Sequence, residues 1–135
     1  MRISARTHYA LRAAVALAAA PPGPMPAGEI ASSQDIPRRF CDNILAQLRL
    51  AGLVRSQRGS DGGYSLARPP EKISLADIIQ VTEGLEEQIE HFTGLASPLT
   101  GIWTAMREHE HALLSEITLA HIVSSSTESA PDAGS

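Results

Sequence analysis

Apolar residues recur at three- and four-residue intervals along most of this chain, and give way to strand-like runs only once, between positions 53 and 67. Ser4 can cap a helix from about Ala5 to Ala20, in which Tyr9, Ala10, Ala13, Ala14 and Leu17 share one face. The proline-rich stretch from Pro21 to Pro26 ends it. Ala27 to Ser33 predicts a short second helix with Ile30 inward, and Gln34 to Ile36 a tight turn. Pro37 suits a first helical position, where its missing N–H would be unpaired anyway. A third helix runs to about Leu50 with Phe40, Ile44, Leu45 and Leu48 on one face, and Gly52 supplies its stop. Two helices joined this way form a helix-turn-helix.

Leu53–Gln57 and Tyr64–Ala67 predict two strands around the glycine-rich segment 58–63, a hairpin in the position of the wing of a winged helix. Its glycines let backbone approach DNA closely; a plain turn is the simpler reading, and a phosphate-cradling nucleotide loop lacks the G-K-[ST] ending. Ser74 and Asp77 form an S-x-x-D capping box for a fourth helix through about Thr82, stopped by Gly84. Glu86–Ala96 is polar and carries no clear period. Ser97 and Pro98 then open a long helix to about Val123, with an apolar stripe of Leu99, Ile102, Trp103, Met106, Leu113, Leu114 and Ile117. Pairing with a second copy buries that stripe, so a symmetric dimer is expected; a helix folded back on its own domain is the alternative. The expected fold is mainly α with a two-stranded β wing. Residues 1–84 are the DNA-binding domain, 85–97 a loop, 98–123 the dimerisation helix and 124–135 a disordered tail.

Charge changes the picture. The chain of 135 residues has a net charge of -4, which by itself argues against a nucleic-acid partner. Residues 1–72, however, hold ten Lys or Arg against five Asp or Glu, whereas residues 73–135 hold one against ten. The N-terminal part is thus a candidate phosphate binder, unless the asymmetry is only that of an ordinary surface. The single cysteine, Cys41, excludes an intramolecular disulfide and fits the cytoplasm. The apolar run Ala13–Ala20 before Pro21 looks like a signal peptide, but it is read as part of the first helix. No stretch reaches the roughly 20 apolar residues of a membrane span.

Met1-Arg2-Ile3-Ser4, Tyr9-Ala10-Leu11-Arg12, Glu29-Ile30-Ala31, Ile36-Pro37, Ile44 to Leu48 and Ala51-Gly52-Leu53-Val54 recur in one order. With Arg58-Gly59 and Gly62-Gly63-Tyr64-Ser65-Leu66-Ala67, they resemble the Rrf-two family of bacterial winged helix-turn-helix regulators. The resemblance implies a homodimeric DNA-binding factor, usually a repressor, whose third helix enters the major groove while the wing touches the minor groove. Many relatives hold an iron-sulfur cluster through three cysteines before the long helix. Glu86–Gly101 contains none, which excludes ligation of that kind and points to a cysteine-free branch that senses a small molecule or a protein effector. No cofactor is expected.

Arg38, Arg39 and Asp42 are assigned to the groove-facing start of the third helix, Arg39 to guanine or phosphate and Asp42 to cytosine. Arg58 with Gly59 anchors the wing, and Arg2 and Arg6 are phosphate contacts. His8 falls where some cluster-binding relatives place a non-cysteine ligand, and His91 lies in the loop it would face, so a metal or ligand sensor built on them is an alternative. Solvated histidines are the simpler reading, and His109 and His111 diverge too far around a helix to share a metal. Cys41 is expected to pack. No nucleophile elbow, paired-acid motif or metalloprotease motif occurs, so catalysis is not expected. A winged-helix module that docks a protein through its acidic half is the remaining competitor.

Overall fold

The computed structural model describes residues 2–83 and 91–129. Among these residues, six α-helices and one two-stranded antiparallel sheet surround a core of small and branched aliphatic side chains. Helix α1 (Ala5–Ala19) begins where Ser4 Oγ accepts the Thr7 N–H. Its inner face is Thr7, Ala10, Ala13, Ala14, Ala16 and Leu17. Alanines at this spacing keep the helix surface narrow, and α1 is packed against α2, α3, α4 and α6 at once. Thr7, fully buried, was not among the predicted core residues, and Tyr9 is only half-buried.

Helix α2 (Ala27–Gln34) ends at Asp35, whose left-handed conformation (φ 53°) turns the chain and inserts Ile36 into the core. Helix α3 (Arg38–Leu50) starts one residue after the predicted position, with Pro37 as its cap. Its buried face is Cys41, Ile44, Leu45 and Leu48; Phe40, predicted inside, is 41% exposed and leans on Tyr9 at 5.7 Å. Gly52, at φ 80°, closes α3 as the sequence indicates: Leu53 N–H donates to Leu48 C=O and Gly52 N–H to Arg49 C=O, a Schellman motif.

Strands β1 (Val54–Gln57) and β2 (Gly63–Leu66) pair with Val54 opposite Leu66 and Gln57 opposite Gly63. A third segment joins them, because Met25 and Tyr64 exchange both backbone hydrogen bonds at 2.8 Å. The proline-rich connection thus acts as a brace for the wing. The predicted capping box starts α4 (Leu75–Glu83): Ser74 N–H donates to Asp77 Oδ2 at 2.9 Å, and Asp77 N–H to Ser74 Oγ at 3.1 Å.

The long helix α5 (Pro98–Glu116) follows a short 3-10 turn at Gly94–Ala96, but it does not continue to Val123. Ile117 is extended (φ -94°, ψ 117°), and a further helix, α6 (Leu119–Ser129), starts beyond it. At the break Leu75 N–H donates to Ile117 C=O and Leu119 N–H to Ile73 C=O. Thr118 and His121 cap α6 reciprocally, through Thr118 N–H to His121 Nδ1 and His121 N–H to Thr118 Oγ1. Leu119 becomes fully buried beside Ile73. That burial, roughly 1.5–3 kcal/mol for a leucine, offsets the intrahelical bonds forgone. Residues 124–129, expected to be a disordered tail, continue α6; residues 130–135 and positions 85–90 of the 85–97 loop lie outside the described residues.

Candidate nucleic-acid interface

Because Cys41, Ile44, Leu45 and Leu48 point into the core, helical geometry turns Arg39, Asn43 and Leu50 to the opposite side, with Asp42 and Arg49 flanking them. All five are exposed. Arg39 is an outward cation with no ion pair among the described residues. Arg38 is not: its Nε lies 3.0 Å from Asp42 Oδ1, one helical turn away, and its guanidinium crosses α2 over Gly28. Any side chain at Gly28 would meet Arg38 Nη1 at 2.9 Å. Asp42 thus has one carboxylate oxygen engaged.

Arg6 reaches across from α1 to α3, where its Nε donates to Gln47 Oε1 at 2.7 Å and its Nη2 to Asn43 Oδ1. Sequence reasoning placed Arg6 near DNA but missed Asn43 and Gln47, whose i, i+4 spacing on the third helix was the available signal. Beside this clamp, Arg12 sits 5.0 Å over the Tyr9 ring, and Tyr9 leans on Phe40. On the buried face of α3, Cys41 has its Sγ 3.7 Å from Ala27 C=O, and burial, aided by the Asp42 charge and opposed by Arg38, pushes its thiol pKa up. It is a packed thiol, as expected, and its burial keeps it protonated.

The wing carries Arg58 exposed at its tip, with Gly59 next to it at φ 110° and open space around it. Gly62 and Gly63 answer to a different need. A Cβ on Gly62 would lie 2.1 Å from Gln57 C=O, and one on Gly63 2.4 Å from the Met25 backbone, so these glycines admit the protein's own chain. Arg55 is tied to Ala67 C=O at 2.9 Å. Arg2 is exposed next to the start of α1.

The start of α1 is locked to the end of α4. Ser4 N–H donates to Glu83 Oε1 at 2.8 Å, the Thr7 hydroxyl donates to the same oxygen at 2.6 Å, and Thr82 Oγ1 lies 2.6 Å from Thr7 Oγ1. The Ser4 backbone donor and then the Thr7 hydroxyl hold the Glu83 carboxyl below the usual range, against an opposing effect of burial.

On α5, Leu99, Ile102, Trp103, Met106 and Leu113 are 37–53% exposed, Leu114 is half-buried, and Ile117 lies in the break, off the helix. Phe92 packs edge-on against Trp103 at 5.5 Å. His8 and His91 are both exposed, and no three metal-ligating side chains come together among the described residues. No helix among them is long and apolar enough to cross a membrane.

Comparison with known proteins agrees with this geometry. The model of the Rrf2 family, described as iron-dependent transcriptional regulators, matches residues 3–125. An HTH-type transcriptional regulator of Mycobacterium tuberculosis is 39% identical over 130 residues, which is 90% of this chain and 81% of that protein. The structure of CymR, the global cysteine regulator of Bacillus subtilis, superposes with a TM-score of 0.82 at 30% identity, covering 92% of this chain and 97% of that one. The IscR of T. potens gives 0.82 at 32% identity, covering 98% and 93%.

The donor set does not fit a cluster held by several thiolates, since the whole chain has one cysteine and that one is buried in α3. The overall arrangement nonetheless superposes on the matched structures over more than nine-tenths of this chain. With a family match over nearly its whole length, this chain belongs to the Rrf2 family of winged helix-turn-helix, DNA-binding transcription regulators and is not an enzyme.

Proposed function

We propose that this regulator binds a two-fold symmetric DNA site as a cytoplasmic homodimer and represses by occupying it, without a cysteine-ligated iron-sulfur cluster. The observation that carries the reading is the apolar face of α5: Ile102, Trp103 and Met106 are each more than a third exposed on one side of a helix. A second copy covering that face removes it from water and sets two α3 helices and two wings along one duplex. Asp42 then meets a base edge, Arg39 a guanine or a phosphate, Arg58 and Gly59 the backbone or narrow groove, and Arg2 a phosphate, with Arg38 held back by Asp42. A small-molecule or protein effector supplies the signal.

Selection of bound sequences from random duplexes tests this, alongside sedimentation and elemental analysis of the purified protein. A palindromic consensus and a dimer are expected. A monomer that enriches no sequence, or iron and acid-labile sulfide in stoichiometric amount, would defeat the corresponding part of the reading.

A further inference from the structure

We propose that Arg6 is a positioning residue, which fixes the direction the Asn43 and Gln47 amides face and thereby sets the base preference of α3. The inference rests on α3 being the DNA-reading helix. An arginine carries only donors, so each atom its fork meets has to be an acceptor. Its contacts are Gln47 Oε1 and Asn43 Oδ1, which settles the orientation of both amides. Each therefore turns its NH2 group away from Arg6. Gln47 is half-buried and serves as the anchor, whereas Asn43 is exposed on the outward face.

A free asparagine suits adenine, accepting from N6 while donating to N7. With Oδ1 committed to Arg6, Asn43 meets the groove as a donor. Guanine offers it two acceptors, N7 and O6, and adenine only N7 next to a donor of its own. Arg6 is half-buried on α1, between Thr7 packed in the core and the α3 surface, so the fork belongs to the folded protein. Reaching a phosphate instead would strip both amides of their partner.

The test is selection from random DNA with the full-length protein as wild type, Asn43→Ala, Arg6→Met and Arg6→Lys, with circular dichroism and sedimentation of each. Asn43→Ala is expected to erase the preference at one position per half-site. There the wild type favours guanine over adenine by about tenfold, Arg6→Met frees the amide and is expected to erase that preference or turn it toward adenine, and Arg6→Lys restores part of the gap. The slope of log affinity against log salt stays the same in Arg6→Met. Replacing that guanine by 7-deazaguanine removes the N7 acceptor without touching the protein, and is expected to weaken wild-type binding about tenfold.

An unchanged preference in Arg6→Met overturns the proposal, as does full affinity for the 7-deaza site. So does uniform weakening on all sequences with a slope smaller by about one per subunit, which marks Arg6 as a phosphate contact. If Arg6→Met loses helical content, Arg6→Lys and the 7-deaza site decide. A wild type that enriches no sequence defeats the underlying DNA reading itself, before any variant is compared.

Discussion

A Cβ on Gly63 would sit 2.4 Å from the Met25 backbone, at a φ of +153° that side chains rarely adopt. Gly63→Ala is therefore expected to cost about 3 kcal/mol, combining backbone strain and overlap, and to loosen the brace between the proline-rich connection and β2. Gly59, with no atom within 4 Å of its missing Cβ, bears only the strain of its φ, about 1 kcal/mol in Gly59→Ala. Urea unfolding of both variants measures the difference, and equal midpoints would refute it. Glu83 makes a second prediction at this scale. The Ser4 and Thr7 donors lower its folded pKa below the unfolded one. The stability it contributes is then fully present above the ordinary carboxylate range and is lost as pH falls through the lowered value. Glu83→Gln is expected to be less stable than wild type at neutral pH and to converge with it in acid; a gap that stays constant with pH would contradict the linkage.

Among elements, the ones that were legible in the sequence are those whose signals are local. Ser4, the Gly52 stop, the Ser74 and Asp77 box and the glycine-rich hairpin each act within a few residues, and all appear where they were predicted. The end of α5 depends on distant chain. Ile117 to Leu119 pair with Ile73 to Leu75, more than 40 residues earlier, and the cap that starts α6 uses His121 in a role commonly taken by Glu or Gln. A helical apolar period running through this stretch concealed the break; the adjacent β-branched Ile117 and Thr118 were the only hint. The Arg6 fork escaped notice for the same reason, its partners lying 37 and 41 positions away. The break makes a test of its own. Leu119→Ala removes a fully buried side chain and is expected to cost about 3 kcal/mol by urea denaturation. Leu113→Ala, on the exposed face of α5, should leave the stability of the isolated subunit within about 0.5 kcal/mol. Similar losses in both would mean that the two helices are one structural unit.

Across the whole molecule, the separation of charge and the exposed α5 stripe have to work together. A basic half of ten cations against five anions attracts a duplex only weakly on its own, while an acidic half of one against ten would be repelled by it. In the proposed dimer, pairing through α5 doubles the basic surface offered to one duplex and joins the two copies through a face that carries few charges. Met106→Asp places a carboxylate in the middle of that face and is expected to yield a folded monomer in sedimentation. The salt dependence then counts the cations that matter. Arg2, Arg39 and Arg58 are the outward arginines assigned to DNA in each subunit, six per proposed dimer, and with each neutralising one phosphate the slope is about -5 in log affinity against log salt. Arg58→Ala is expected to bring the slope to about -3.5, since it removes two contacts per dimer, and the Met106→Asp monomer to about -2.5. Fluorescence anisotropy between 50 and 300 mM salt, roughly the range over which counterion release is resolved, distinguishes these values. A wild-type slope near zero would mean that the basic half does not neutralise phosphates, and would leave docking of a protein on the apolar face as the better account of the fold.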